Sequence, residues 1–414
     1  MMSSFRILLL GADGFIGRHL AAELEARGHT VVGGVRQPRN ASDIAVDFSV
    51  DHDVATWLAR VRGFDVVINA VGVFRSGPRA GFDAIHETAP RALYAACHEA
   101  GVRRVLLISV LGAATDGATA YWRSKAAGEA VLRAAGVPWT IVQPGLVYGA
   151  DGASSRLFAR LGSLPLQLLP ASGDVQPIHV DDLATGCARL IDAADAAGKT
   201  FIATGPQKQS FALYLRRLGD RDRVCSLQLP ARLGSMLAIL LERLPGSLIS
   251  RDSLTMLAQG SHGDGNAFAA YVGRPLCAPP GEIDPAGRLA LQCWQVAWLL
   301  RGGLAFVWLA TAWVSLFVYP VAGSHQLLAG CGIPAALFEP LRVGSALLDA
   351  GFGVLTLLRP GRRLWQLQLA LIAGYSTIVA FCLPEYLAHP FGPLTKNAGL
   401  IAALAALIVL EEKP

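Results

Sequence analysis

Short apolar runs alternate with amphipathic stretches along the first 200 residues, and after Gln292 polar positions become sparse. Phe5–Leu10, Thr30–Val35, "DVVINAVG" from Asp65, "RVLLISV" from Arg104 and "WTIVQPG" from Trp139 are brief enough and apolar enough to be buried strands. "AVDF", around Asp47, is a weaker strand, and "KTFIATG" from Lys199 closes the series. Between them, Gly14–Arg27, Phe82–Ala100 and Ala118–Ala135 carry helical spacing. Strands that alternate with helices predict an α/β fold with a doubly wound parallel sheet, covered on both faces. Residues 144–286 are less regular and rich in Pro and Gly. The first domain is therefore expected over 1–286, with a substrate-side lobe mainly at 150–286.

The pattern beyond 295 is of another kind. Gly302–Tyr319, about Leu341–Leu358, Leu364–Leu383 and Asn397–Leu410 are apolar runs, the first three of membrane-crossing length. The fourth is short and needs help from its flanks. An all-α bundle of four transmembrane helices is expected over 295–414. Arg301 precedes the first run, and Arg359, Arg362 and Arg363 lie between the second and third. The segment Pro384–Thr395 has no Lys or Arg. By the positive-inside rule both ends and the arginine turn face the cytoplasm. The expected location is the inner or cytoplasmic membrane, multi-pass, with the N-terminal domain cytoplasmic.

Composition sharpens this division. Of 414 residues, 53% are hydrophobic and only 16% charged, against about 25% charged in an average soluble domain. The shortfall is concentrated in the last 125 or so residues. The net charge of +5 comes with no basic run interleaved with aromatics, so nucleic acid is not an expected partner. The seven cysteines form no Cys-x-x-Cys and no His/Cys pair at ligand spacing, so no metal site is expected. "ILLL" is too short for a signal peptide, and a glycine turn follows it.

That turn, "GADGFIG", spaces Gly11, Gly14 and Gly17 between a strand and a helix. One glycine turns the chain, one admits a pyrophosphate close to the backbone, and one lets helix and strand pack. The first turn of the helix, with Phe15 and Ile16, then faces the phosphates. This is a Rossmann-type nucleotide site. Where an NAD site offers an acid to the ribose, the second strand here ends in "VVGGVRQPR". Arg36 takes that place and suits a 2′-phosphate, so NADP(H) is favoured, with NAD(H) as the alternative. Asp47 and Phe48, after the third strand, are placed at the border of the adenine.

"YWRSK" sets Tyr121 and Lys125 four apart on one helix face. An ammonium beside a phenol lowers its pKa from about 10. The tyrosine can then exchange a proton with a carbonyl or alcohol while hydride moves to or from nicotinamide. Ser109, at the end of a strand, is placed to hydrogen-bond the reacting oxygen.

These motifs, with "INAVG" (Ile68–Gly72), "ISVLGA" (Ile108–Ala113), "QPGLVYG" (Gln143–Gly149) and "PIHVDDLA" (Pro177–Ala184), resemble a short-chain dehydrogenase/reductase of the extended or atypical kind over residues 1 to about 280. The branch it resembles includes the accessory, dehydrogenase-like subunit of respiratory complex I. The resemblance implies an NAD(P) cofactor, a Ser109/Tyr121/Lys125 site, and nucleotide contacts at Ala70, Gly72, Tyr121, Lys125 and Pro144. Two departures stand out: Gln143 replaces the usual arginine of "RPG", and the gap from Ser109 to Tyr121 is short.

From about residue 295 the chain resembles the DoxX-like four-helix membrane family, through its four apolar runs, "GSALLDAGFG" and "LPEYLAHPFGPLTKN". Asp349 lies within a span, where an acid is costly and is expected to face the interior, protonated or paired with Arg342, Lys396 or Asn397. Gly344, Ala350, Gly351 and Gly353 are expected to allow close helix approach. His325 and His389 are expected in external loops.

Three functions fit. The first is a membrane-anchored NADP(H)-dependent oxidoreductase acting on a lipophilic carbonyl, alcohol or quinone, with membrane lipid or quinone as partner. The second is a nucleotide-binding scaffold in an oligomer or membrane complex. The third is an NAD-dependent epimerase or dehydratase, against which Arg36 argues.

Overall fold

The computed structural model describes residues 4–74, 81–169, 171–220, 224–242, 249–278, 285–387 and 395–411, and divides into two units, Met1–Gly287 and Arg288–Pro414. In the first, seven strands form one parallel sheet: β1 (Arg6–Leu10), β2 (Thr30–Val35), β3 (Ile44–Ala45), β4 (Val66–Asn69), β5 (Arg104–Ile108), β6 (Trp139–Pro144) and β7 (Lys199–Ala203). Their order across the sheet is β7-β6-β5-β4-β1-β2-β3. The chain starts at β1 near the centre, winds out to β3, then crosses back to build β4 through β7. Sequential ligand-bearing loops therefore gather at the strands' C-terminal ends beside β1 and β4.

The run "ILLL" is apolar throughout because both faces of β1 are covered. Leu8 and Leu10 point to a layer holding Trp57, Leu93, Tyr94 and Leu132, from the helices Val54–Val61, Ala89–Glu99 and Ala120–Ala134. Ile7 and Leu9 point to the opposite layer, with Leu20 and Leu24 of the helix Phe15–Ala26, and Leu183 and Cys187 of Val180–Asp192. Helix and sheet approach closely at one point in particular: a Cβ on Gly17 would stand 2.0 Å from Gly11 O.

Three differences from the sequence reading concern local geometry. The third strand is only Ile44–Ala45, so Asp47 and Phe48 fall in the turn after it. The expected helix Phe82–Ala100 begins as a π-helical turn, Ala84–Thr88, before its regular part Ala89–Glu99. The helix Val54–Val61, capped by Asp53 accepting from the Thr56 N–H, was not read from the sequence because its period is only two turns long.

The second unit is helical. Among the described residues, three helices are long and apolar enough to cross a membrane: Ala286–Val318, Ala335–Leu358 and Arg362–Cys382. Asn397–Leu410 is apolar but has 14 residues, about 21 Å at 1.5 Å per residue. The first helix, Pro285–Trp313, starts well before the expected Gly302. Val321–Gly330 is also helical, so His325 lies on a helix, not in a loop, with Nε2 3.3 Å from Glu339. His389 lies outside the described residues.

Polar groups inside this unit are paired level by level. Arg301 and the Trp365 indole both bond Glu411, linking the first, third and fourth helices at one end. Further in, Trp308 Nε1 donates to Gln368 Oε1 at 2.8 Å, and Gln368 Nε2 donates to Thr356 Oγ1 at 2.8 Å. At the other end Arg342 donates to Ser315 O, and Asn397 Nδ2 donates to Ser376 Oγ. Asp349 is buried, as expected, but two of the expected partners are committed elsewhere, Arg342 to Glu339 and Asn397 to Ser376, and Asp349 Oδ1 has no hydrogen-bond partner among the described residues. Of the small residues around it, Gly353 makes the close approach, against Leu309 and Ala305 O. Gly344 and Gly351 face open space, because they lie on the outer side of the same helix.

Candidate active site

The loop after β1 is shaped for close approach. Gly11 has φ +80°, a left-handed conformation that favours glycine, and its N–H donates to Gly34 O at 2.9 Å. Gly14 N donates back to Gly11 O at 3.0 Å and is the N-cap of the helix Phe15–Ala26, which has no side-chain cap hydrogen bond. The first-turn N–H groups of Phe15 and Ile16 thus remain available to an anion. The Phe15 ring lies against Gly149 and Gly152, where an added Cβ would meet it at 3.0 Å.

The second wall comes from the end of β4. A Cβ on Gly11 would meet Ala70 O at 3.1 Å, and one on Gly72 would meet Lys125 Nζ at 3.4 Å. Lys125 Nζ donates to Ile108 O at 3.1 Å, so the helix Ala120–Ala134 points its ammonium at the C-terminal ends of β4 and β5. Gly11, Gly14, Phe15, Ile16, Gly17, Ala70, Gly72 and Lys125 are thereby brought to the C-terminal ends of the central strands. Pro144, at the end of β6, is buried there and accepts from the Leu111 N–H.

Tyr121 stands one turn before Lys125, its ring 5.1 Å from Phe74, 5.9 Å from Phe82 and 5.8 Å from His86. This enclosure pushes the phenol up to about 12, and burial draws Lys125 down to about 8. The lowered phenol pKa expected from the sequence is therefore not what this packing gives: loss of solvent around the ring governs its proton affinity.

Ser109 also differs from expectation. Its hydroxyl donates to the buried Glu129, which accepts from Gln143 Nε2 at 2.8 Å and from Arg133 as well. The Ser109 proton is thus committed away from a reacting oxygen, leaving its lone pairs as acceptors. Gln143, which stands where the resemblance expects arginine, finds its role in the same carboxylate.

Arg36 is exposed immediately after β2, where the sequence placed it. Asp47 serves its own turn, accepting from Ser49 N and Oγ. Phe48 does not border a nucleotide surface: it is buried, with its ring 5.4 Å from Trp57 in the core.

Three residues were missed. Asp43 accepts from the Arg39 and Asn40 N–H groups, and the Asn40 bond above all holds its carboxyl low. A Cβ on Gly33 would meet Asp43 Oδ1 at 2.9 Å and Ala12 Cβ at 3.2 Å, so this carboxylate sits beside the glycine loop. Glu129 is the second, at i+4 from Lys125. The third is His86, on the π-helical turn. Its Nε2 accepts from Val73 N at 3.4 Å, and its Nδ1 lies 2.9 Å from Ser124 Oγ, an arrangement that suits a neutral ring protonated at Nδ1. Burial and the Lys125 charge push it down to about 3. Spacing from the glycine loop could have flagged Asp43, whereas no local signal marks His86.

Residues 11–194 match the NAD(P)H-binding family and residues 305–405 the DoxX-like family. The chain joins an NAD(P)H-binding domain to a DoxX-like domain. It is similar to NADH dehydrogenase (ubiquinone) 1 alpha subcomplex subunit 9 of Rattus norvegicus, 29% identical over 213 residues, 48% of this chain and 56% of the relative. It is also similar to the ceramide reductase of Caulobacter vibrioides, 33% identical over 186 residues, 43% of this chain and 58% of the relative. The matched region thus spans little more than half of each relative. A nucleoside-diphosphate-sugar epimerase of Staphylococcus aureus superposes with a TM-score of 0.56 at 17% identity, covering 67% of this chain and 98% of that one. An NADPH-dependent quinone oxidoreductase of Escherichia coli, complexed with NADPH, gives 0.52 at 20% identity, covering 69% and 98%. Both likenesses establish the Rossmann-like fold. The first domain is thus an NAD(P)H-binding domain of Rossmann-like fold, and the DoxX-like domain with its apolar helices points to membrane association.

Proposed function

We propose that this chain is a membrane-anchored, NADP(H)-dependent oxidoreductase of the short-chain dehydrogenase/reductase type, acting on a lipophilic carbonyl or alcohol. One observation carries the reading: Lys125 Nζ is held between Ile108 O and the Gly72 turn, beside the glycine loop and one helical turn from Tyr121. In that position Lys125 binds the nucleotide's ribose side and Tyr121 moves a proton at the substrate oxygen. Bound nicotinamide supplies the hydride. Arg36 supports NADP(H) through the 2′-phosphate, while the Asp43 carboxylate nearby works in the opposite direction. The likeness to a protein named ceramide reductase supports a lipid-like substrate. The apolar helices support a multi-pass anchor in the cytoplasmic membrane with the first unit on the cytoplasmic side.

A second reading has its own support. Ser109 is engaged by Glu129 and the Tyr121 phenol is shifted upward, which fits a nucleotide-binding scaffold in a membrane complex, as does the likeness to a complex I subunit. Purified protein in detergent separates the two. NADPH and NADH are titrated by nicotinamide fluorescence, and turnover of long-chain ketones is followed by NADPH oxidation. For an oxidoreductase, Tyr121→Phe lowers turnover on the order of 100-fold or more and leaves nucleotide binding intact. Gly14→Asp abolishes both. Nucleotide binding with no turnover, and a complementing function in cells that survives Tyr121→Phe, would establish the scaffold instead. Preference for NADH would overturn the role given to Arg36.

A further inference from the structure

A second surface of the first unit is built the wrong way round for water. The strands Leu166–Leu169 and Cys225–Gln228 pair in parallel, with Leu168 opposite Leu227. Side chains alternate across such a ribbon. Here the polar Gln167 is the inward one, donating to Gly162 O, and Leu169 is inward beside it. Leu166 and Leu168 point outward, and Leu168 and Leu227 are each 52% exposed. A two-stranded ribbon facing solvent ordinarily places polar residues at those positions. The helix Ala231–Glu242, which follows the second strand, continues the apolar character with exposed Leu233 and Met236, the latter 66% exposed.

Charge is biased in the overlapping stretch of the sequence. Residues 206–251 contain eight Lys or Arg and three Asp or Glu, an excess equal to the +5 of the entire chain. Apolar positions in a basic stretch suit the interface of an anionic bilayer, where leucine and methionine enter the headgroup boundary and basic side chains meet phosphates. A protein partner for such a surface would have to bring acids. The same chain also carries three helices able to cross a membrane, so a bilayer is always within tether reach and even weak attraction is effective.

We propose that the Leu166/Leu168/Leu227 ribbon and the Leu233/Met236 helix form an interfacial membrane-docking surface that rests this lobe on anionic lipid. The surface is separate from the nucleotide site and does not depend on the oxidoreductase reading. If that reading holds, it sets the substrate lobe at the source of a lipid substrate.

The test uses the full chain in lipid nanodiscs. The photo-crosslinking amino acid p-benzoylphenylalanine is placed singly at Leu168, Leu227 or Met236, with Val50, 70% exposed and outside this lobe, as control. The discs contain either phosphatidylglycerol with phosphatidylcholine, or phosphatidylcholine alone, and adducts are read by mass spectrometry. The expected result is phospholipid adducts several-fold above the Val50 level in the anionic discs, falling towards it in the neutral ones. Adducts no higher than at Val50 would overturn docking. Equal labelling in both discs would overturn the anionic assignment. Crosslinks to the chain's own second unit or to another copy would show that protein, not lipid, covers the surface.

Discussion

Lys125 holds a charge in a place with little to solvate it: it is 6% exposed and its ammonium donates to Ile108 O. Burial lowers its pKa from 10.5 to about 8. Between those values the unfolded chain binds more protons at this residue than the folded one, so stability rises with pH across that window. The contribution is complete above the unfolded value and is lost as pH falls through about 8. A shift of this size corresponds to roughly 3 kcal/mol. Lys125→Met removes the titration. In nucleotide-free protein, the stability difference between wild type and Lys125→Met is expected to change in favour of wild type by roughly that amount from pH 8 to 10.5. Denaturant melts across the range measure it, and a pH-independent difference would show the amine is solvated. Proton affinities of this kind were not legible in the sequence. The Tyr121–Lys125 spacing gave the juxtaposition, but the rings that enclose Tyr121 come from Phe74, Phe82 and His86, far from it in the chain.

At the level of elements, period and glycine spacing carried most of the information. The β1 run, the glycine turn and the helix after it were readable because their residues are sequence neighbours obeying one local geometry. The turn at Asp47 and Phe48 was not, since Phe48 is drawn into the core by Trp57, from a helix too short to announce itself. The helix Val321–Gly330 was hidden because Ser324, His325 and Gln326 sit together between apolar and glycine residues, so ten residues show no stripe of helical period. The glycine turn yields a prediction that separates packing from flexibility. A methyl group on Gly17 would stand 2.0 Å from Gly11 O and 2.9 Å from Ala12 Cα, both backbone atoms that cannot swing aside. The helix must therefore move away from β1. Gly17→Ala is expected to destabilise the first unit by about 1–3 kcal/mol and to weaken NADPH binding at least ten-fold, because the N-terminal N–H groups leave the phosphate position. Calorimetry of the nucleotide titration and of unfolding checks both. An unchanged affinity would mean the helix end does not hold the pyrophosphate.

For the molecule as a whole, the division into a nucleotide-binding unit and an apolar helical unit was legible from charge density alone, whereas the pairing of helix ends was not. That pairing now bears on topology. Arg301, Trp365 and Glu411 meet at one end of the bundle, and Arg342 with Ser315, and Asn397 with Ser376, meet at the other. The middle of the first helix, at Arg301, the start of the third and the end of the fourth thus share a side, as in an up-and-down bundle, which we propose crosses the membrane four times. Arg359 lies in the turn between the second and third helices and Arg362 and Arg363 open the third, so by the positive-inside rule we propose that this side faces the cytoplasm. Asn397–Leu410 tests the scheme, because its 14 residues fall short of a hydrocarbon core about 30 Å thick. It crosses only if the bilayer thins or its flanks snorkel at both ends. Single cysteines placed in a cysteine-free background at Arg359 and Lys396 report on the third crossing, and one at Lys413 on the fourth, in intact cells and in inverted vesicles. An impermeant maleimide is expected to label position 396 from outside the cell and positions 359 and 413 only in inverted vesicles. If positions 359 and 396 label from the same side, the third helix does not cross, and the bundle is seated in one leaflet, with its polar clamps serving a monotopic anchor.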